Sequence, residues 1–356
     1  MMKLGLTCIS EQLKELDKKK YSFQTMTRKR FNDLCERDGR EKAVEELSER
    51  IYDNIIVTQS IVIHCIKTGI AHYRLSSNLF PLLTDPTLGL SLEELPNIGH
   101  LKRELAWIGI LAGNDLSIGS HPDQFNVLAS QNKDAVRKTI DELNFQSSIF
   151  DMIGLPQDHS APMNIHINCT PKDIHHKVDE DYFTKLVAEV ADRFYENLMQ
   201  CDQGLINRLT VENEDKGFWT VTNILLFNQY MNDKYNLNIP VCYDNLHDLC
   251  NPSGMQVYAD KYTAIQDNAK LCQATWPDGI TPVFHWSEGK ESNQRAHEDY
   301  FSKDNYPVDV GDVIWECEVK AKDKAIERLM VDVSWVNLVK KDFTLELCGK
   351  NSSPTD

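Results

Sequence analysis

Short runs of apolar and β-branched residues recur along the chain, each followed by a longer stretch whose apolar positions repeat every three or four residues. The runs are Leu4 to Cys8, His72 to Leu75, Leu116 to Ser120, Met163 to Asn168, Leu209 to Glu212, Val241 to Asp244, Pro282 to Trp286 and Val313 to Glu318. Runs of this length suit strands buried on both faces, as in a parallel sheet. Between them, Val44, Leu47, Ile51 and Ile55 make one helical stripe, and Phe183, Leu186, Val187, Val190 and Phe194 make another. Strand then helix, repeated to the end of the last run, predicts an α/β fold, a single (β/α)8 TIM barrel, with a doubly wound sheet as the competing fold. We assign residues 1–335 to the barrel and 336–356 to a partly disordered C-terminal extension, because the tail from Cys348 to Asp356 is polar. Pro81 to Gly99 reads as a long loop. There is no internal repeat and no convincing domain linker.

Composition narrows the class. The 356 residues are 41% apolar and 26% charged, which excludes a disordered or fibrous chain. No apolar run approaches a membrane span, and the start, Met1 to Leu6, lacks the apolar core of a secretion signal. The ten Cys include no CxxC pair, so they read as free thiols in a reducing cytoplasm. The net charge of −16 argues against bulk coating of nucleic acid. Within that acidic chain, Lys18-Lys19-Lys20 and Arg28-Lys29-Arg30 form a local basic stretch after the first strand.

In a barrel, chemistry gathers at the carboxyl ends of the strands. The third run ends Ser120-His121-Pro122-Asp123-Gln124, the fourth Ile165-His166-Ile167-Asn168 and the fifth Val211-Glu212-Asn213-Glu214. The sixth ends Asp244-Asn245-Leu246-His247-Asp248, the seventh His285-Trp286-Ser287, and the eighth carries Glu316-Cys317-Glu318. A single His at a strand end is usually a satisfied structural residue. Six consecutive ends bearing His or carboxylate would repel or stay unpaired at one mouth unless cations sat between them. The mixture of imidazole and carboxylate suits Mn, Zn or Fe better than Ca, and more ligands are available than one ion needs. Hydrolysis of a phosphate ester is the commonest use of such a multi-metal site. His64, His72, His100 and His159 have no acidic partner nearby in the sequence, and no GxSxG, Walker or GxGxxG motif is present.

These strand ends resemble the UV damage endonucleases, a family related to endonuclease IV, over most of the chain from Met2 to about Leu329. Ser120-His121-Pro122-Asp123-Gln124-Phe125 is similar to the family's SxHPxQY, and Leu209 to Glu214 to its LxxEND. Asp244-Asn245-Leu246-His247 resembles the DxxHH strand end, with Asp248 in place of the second His. Arg295-Ala296-His297, Glu318-Val319-Lys320-Ala321-Lys322 and Tyr73-Arg74-Leu75-Ser76-Ser77 resemble three further motifs. Three positions depart from the pattern. Val283 replaces a lysine two residues before the strand-seven His, Leu6 replaces an aromatic, and Asn78 stands where a His can occur.

The resemblance implies a DNA repair endonuclease, a hydrolase that nicks duplex DNA 5′ to cyclobutane dimers and 6-4 photoproducts by attack of metal-activated water, leaving a 3′-hydroxyl. It implies His121, His166, Glu212, Asp244, His247, His285, His297 and Glu318 as metal ligands, with Glu212, Glu318 and Asp244 catalytic. They would hold two or three divalent ions, manganese first, with magnesium, zinc or cobalt as alternatives. By the strand-eight pattern the ligand is Glu318 rather than Glu316. Gln124 and Phe125 stand where the family inserts a wedge into the gap left by an extruded lesion. Lys18, Lys19, Lys20, Arg28, Lys29 and Arg30 would hold backbone phosphates. The partner is double-stranded damaged DNA, with no membrane and no obligate protein partner. The competing activities are an abasic-site endonuclease of the endonuclease IV type, a metal-dependent sugar isomerase on the same fold, and a non-enzymatic damage binder.

Overall fold

The computed structural model of the protein describes residues 2–169, 180–253, 261–303 and 305–332. All eight predicted runs form strands. In chain order they are β1 (Lys3–Thr7), β2 (His72–Arg74), β3 (Ser117–Gly119), β4 (Met163–His166), β5 (Leu209–Glu212), β6 (Val241–Cys242), β7 (Val283–Trp286) and, after the small hairpin β8 (Gly289–Lys290) and β9 (Asn293–His297), β10 (Ile314–Cys317). The hairpin lies outside the eight sequence runs because its β9 is polar and largely exposed.

The expectation of a closed (β/α)8 TIM barrel does not hold. The parallel strands form two sheets, a curled one of order β3-β2-β1-β10-β7 and a three-stranded one of order β4-β5-β6. Among the described residues, the strands of the two sheets are joined by isolated bridges, Ser120 to Met163 and Asp244 to His285. The strands at the two seams are short, β3 with three residues and β6 with two, and each makes its ladder with its other neighbour, β2 and β5. Side chains supply what the ladder lacks. At the β6–β7 seam Asn245 Oδ1 accepts the Ser287 N–H at 2.8 Å, and its Nδ2 donates to Ser287 O at 3.0 Å. Asn213 makes the same pair of bonds to Asp244 between β5 and β6, at 2.8 and 2.9 Å.

Helices pack around the strands: α1 (Glu11–Leu16), α2 (Arg28–Asp38), α3 (Arg40–Thr68), α4 (Ile98–Ala112), α5 (Lys133–Ile153), α6 (Glu180–Leu198), α7 (Gln203–Arg208), α8 (Val221–Tyr235), α9 (Asn245–Cys250) and α10 (Lys261–Gln273). Their caps are local and legible. Asn132 accepts the first free N–H groups of α5, and Thr220 does the same for α8. The stripe Val44, Leu47, Ile51 and Ile55 lies buried on α3, and Leu186, Val187, Val190 and Phe194 on α6. Pro81 to Gly99 holds one short 3-10 turn, Leu92–Glu94, and runs into the start of α4. Cys242 and Cys317 are buried on strands, whereas Cys8 and Cys169 sit half-buried just past strand ends. The side chain of Phe183 and the extension 336–356 lie outside the described residues. Among the described residues, no helix is long and apolar enough to cross a membrane.

Candidate metal centre

The face at the carboxyl ends of β3 to β7 and β10 gathers seven of the eight expected ligands. Glu212, the last residue of β5, is 1% exposed and lies at the centre. His121 Nε2 is 3.0 Å from its Oε2, His247 Nδ1 is 3.0 Å from its Oε1, and His285 Nδ1 is 3.2 Å from the same Oε1. Asn164, one strand away, donates to Oε2 and is itself fixed by Thr210 Oγ1, 3.0 Å from its Oδ1. Burial opposes charge on Glu212. The imidazoles of His285 and His166, with hydrogen bonds from His121 and His247, outweigh it and hold the carboxyl well below its usual range. Burial pushes His166 down to about 4, so its ring keeps a lone pair for ligation near neutrality.

Asp244 has two tasks. It caps α9 by accepting the His247 N–H at 2.7 Å on Oδ1. The cap places His247 on the first turn of α9, three residues on, facing the same centre. Oδ2 is then left toward His285 Nδ1 at 3.6 Å and His247 Nδ1 at 4.0 Å. Carbonyls orient two of the rings: His121 Nδ1 is 3.1 Å from Pro122 O, and His247 Nδ1 is 2.9 Å from Asn213 O. In His121 this turns Nε2 toward the centre, whereas in His247 the same Nδ1 that meets Asn213 O also meets Glu212 Oε1.

Three overlapping groups have ligand atoms at metal spacing: His121, His166 and Glu212; Glu212, Asp244 and His247; and Asp244, His285 and Glu318. A fourth, Glu212, Cys242 and His285, adds a thiol, but burial pushes Cys242 up to about 12, which keeps it protonated. The buried atoms His166 Nδ1 and Asp244 Oδ2 have no hydrogen-bond partner among the described residues. A native interior leaves few such atoms orphaned, and here both border the groups that could hold a divalent ion. His297, on β9, stands at the margin, 3.9 Å from Glu318.

The remaining expected residues are on the surface. Phe125 is 79% exposed on the loop after β3, where its N–H donates to Asp123 Oδ1. Gln124 beside it is tied through its carbonyl to Asn168 Nδ2 at 2.5 Å. Lys18, Lys19, Lys20 and Lys29 are exposed. Arg28 pairs with Asp85 at 2.6 Å and Arg30 with Glu46 at 2.7 Å.

Three buried contacts were not assigned from the sequence, although Arg74 lies within one of the motifs quoted above. Arg74 lies against Glu316, Glu318 and His285. His72, without an acidic partner in the local sequence, is 2.8 Å from Glu316. His64 likewise finds Asp323 at 3.0 Å, across the fold. The signal available for the first two was spacing: His72 and Arg74 are two apart on one strand and so point to one face, as Glu316 and Glu318 do.

An α/β chain with buried imidazole and carboxylate groups at metal spacing on its strand ends has the make-up of a metal-dependent hydrolase. Residues 2–347 match the model of the family described as UV-endonuclease UvdE. The UV DNA damage endonuclease of Nostoc sp. is 27% identical over 334 residues, covering 92% of this chain and 88% of the relative. That of Bacillus cereus strain G9842 is 25% identical over 333 residues, covering 89% and 91%. The crystal structure of SacUVDE superposes with a TM-score of 0.72 at 22% identity, covering 95% of this chain and 99% of that one. The chain belongs to the UvdE family, and its activity is that of an endonuclease acting on UV-damaged DNA.

Proposed function

We propose that this protein nicks duplex DNA on the 5′ side of cyclobutane dimers and 6-4 photoproducts, leaving a 3′-hydroxyl, with manganese as its preferred metal. The observation that carries the reading is the convergence of His121, His166, Glu212, Asp244, His247, His285 and Glu318 on one face, with orphaned buried donor atoms among them. Divalent ions held by these residues, with His297 at the margin, would supply Lewis acidity toward a phosphodiester and an activated water.

The protein's own residues do the rest. Glu212, shared by three of the four ligand groups, is kept ionised by the imidazoles around it. Asp244 orients His247 through the helix cap. Gln124 and Phe125 project from the β3 loop and fill the space of an extruded lesion, whose weak stacking lowers the cost of extrusion. Lys18, Lys19, Lys20 and Lys29 meet backbone phosphates directly. Arg28 and Arg30 are themselves half-exposed, so their guanidinium groups can turn from Asp85 and Glu46 to phosphate. The protein works in the cytoplasm, in keeping with cysteines that are free among the described residues.

The test uses an end-labelled, UV-irradiated duplex with chelator-stripped protein, with and without added Mn²⁺. The expected product is a single nick immediately 5′ of the photoproduct that a polymerase extends, formed only with metal. Equal cleavage of an abasic-site duplex and none at photoproducts would overturn the assignment.

A further inference from the structure

The third ligand group, Asp244, His285 and Glu318, already contains a cation. Arg74 Nη1 is 2.5 Å from Glu318 Oε1, and its Nη2 is 2.7 Å from His285 Nε2. Two of the three members of that group are therefore held by one guanidinium. The first two groups have no such occupant: Glu212 receives only imidazoles and the Asn164 amide.

Arg74 is held there by a buried chain. Its guanidinium also bonds Glu316, which is 2% exposed. Glu316 Oε1 is 2.8 Å from His72 Nε2, and His72 Nδ1 is 2.9 Å from Ser117 Oγ, which donates onward to Ser160 O. Two glycines make room for this chain. A Cβ on Gly5 would lie 3.0 Å from Glu316 Cγ and 3.2 Å from His72 Cβ, and one on Gly119 would lie 3.0 Å from His72 Cε1. One layer below His285 on the same face of β7, Val283 offers no donor or charge of its own.

Chemistry makes Arg74 and a third ion competitors. Arg74 Nη2 takes up His285 Nε2, which also lies 3.3 Å from Glu316 Oε2, so this ring nitrogen is already engaged by the buried ion-pair chain. His285 Nδ1 lies 3.2 Å from Glu212 Oε1, nearer than to Asp244 at 3.6 Å or Glu318 at 3.7 Å, so on this side too the ring leans to the groups that share Glu212. Glu318 has one oxygen engaged by the same side chain, and a dication beside Arg74 would meet like charge in a buried setting.

We infer that Arg74, fixed by the chain Ser117–His72–Glu316, stands in for the third cation, so that the centre takes two tightly held divalent ions, in the groups sharing Glu212, and a third only weakly. This rests on the metal-centre reading of the preceding section and specifies its stoichiometry.

The test is calorimetric titration of the full chain, stripped by chelation, with Mn²⁺ alone, alongside a count of metal retained after desalting. The wild type should bind two ions, with any third weaker by about tenfold or more. Arg74→Met, close in length and uncharged, should bind three of comparable affinity. Glu318→Gln should still bind two, and this arm decides the matter if Arg74→Met does not fold. Three equivalent ions in the wild type would overturn the inference. So would two in a natively melting Arg74→Met protein, or one in Glu318→Gln. Retention of no Mn²⁺ by the wild type would overturn the metal centre itself.

Discussion

Glu212 and Glu316 are the same residue type, both at or near a strand end and both almost fully buried, at 1% and 2% exposure. Their surroundings differ. Glu212, in the three-stranded sheet, is met by three histidine rings within 3.2 Å and an amide. Glu316, in the five-stranded sheet, is met by a guanidinium, by His72 and, at 3.3 Å, by His285 Nε2. Imidazoles can give up protons and offer lone pairs, whereas a guanidinium can do neither. The first carboxylate is thus available to an ion and the second is already neutralised. Burial and residue type alone do not separate a ligand from a structural ion pair. The partner across the fold does.

The largest test of this contrast is Glu212→Gln. The amide keeps the size and loses the charge that three of the four ligand groups share, so nicking of photoproduct duplex should fall by several orders of magnitude while the melting temperature stays near wild type. Turnover within a few fold of wild type would remove Glu212 from the centre.

Glu316→Ala should act on the fold. It leaves Arg74 and His72 buried without their carboxylate, and losing one partner of a buried pair typically costs about 3–5 kcal/mol. Denaturant unfolding measures this. A wild-type midpoint would show that Arg74 is adequately held by Glu318 alone.

His159 sharpens the contrast among imidazoles. Its Nε2 is buried with no hydrogen-bond partner among the described residues, and burial pushes its pKa down to about 4 from 6.5. The folded value is depressed, so the unfolded chain binds the proton first. The stability contributed by this group is fully present above pH 6.5, falls as pH drops below that, and is gone below about 4. The loss attributable to it amounts to about 3 kcal/mol. His159→Gln should flatten that part of the stability–pH curve. An unchanged slope in the variant would assign the acid sensitivity elsewhere.

The smallest effect belongs to the surface. Phe125→Ala should weaken binding to a photodimer duplex by about tenfold to a hundredfold, the range of one lost base–aromatic stack. Phe125→Tyr should be close to neutral. Because the ring is exposed, melting temperature and metal content should not change in either variant. A destabilised alanine variant with intact lesion affinity would end the wedge assignment.

Much of this was legible in advance, for particular reasons. Each strand appeared as a short apolar run because both faces are covered, and Glu212 and His166 stood out because each ends such a run in a polar residue. Asp244 and His247 stood out as the polar end of the sixth run and by its resemblance to the DxxHH strand end, while the helix cap that joins them appears only in the structure. Arg74 and His72 were not legible as a unit with Glu316, because the contacts join strands more than 200 residues apart in sequence. Sheet closure was not legible either, since an apolar run marks a strand without showing how many ladder bonds it makes.

Local chemistry, then, determined from sequence the eight strands, the helical stripes, and which residue types stand at the strand ends. These depend on periodicity and on neighbours a few residues away. Tertiary structure decided the rest: two sheets joined by single bridges in place of a closed barrel, and a guanidinium set among the carboxylates. Both depend on which short strands lie side by side, and strand pairing is a long-range property that no local pattern encodes.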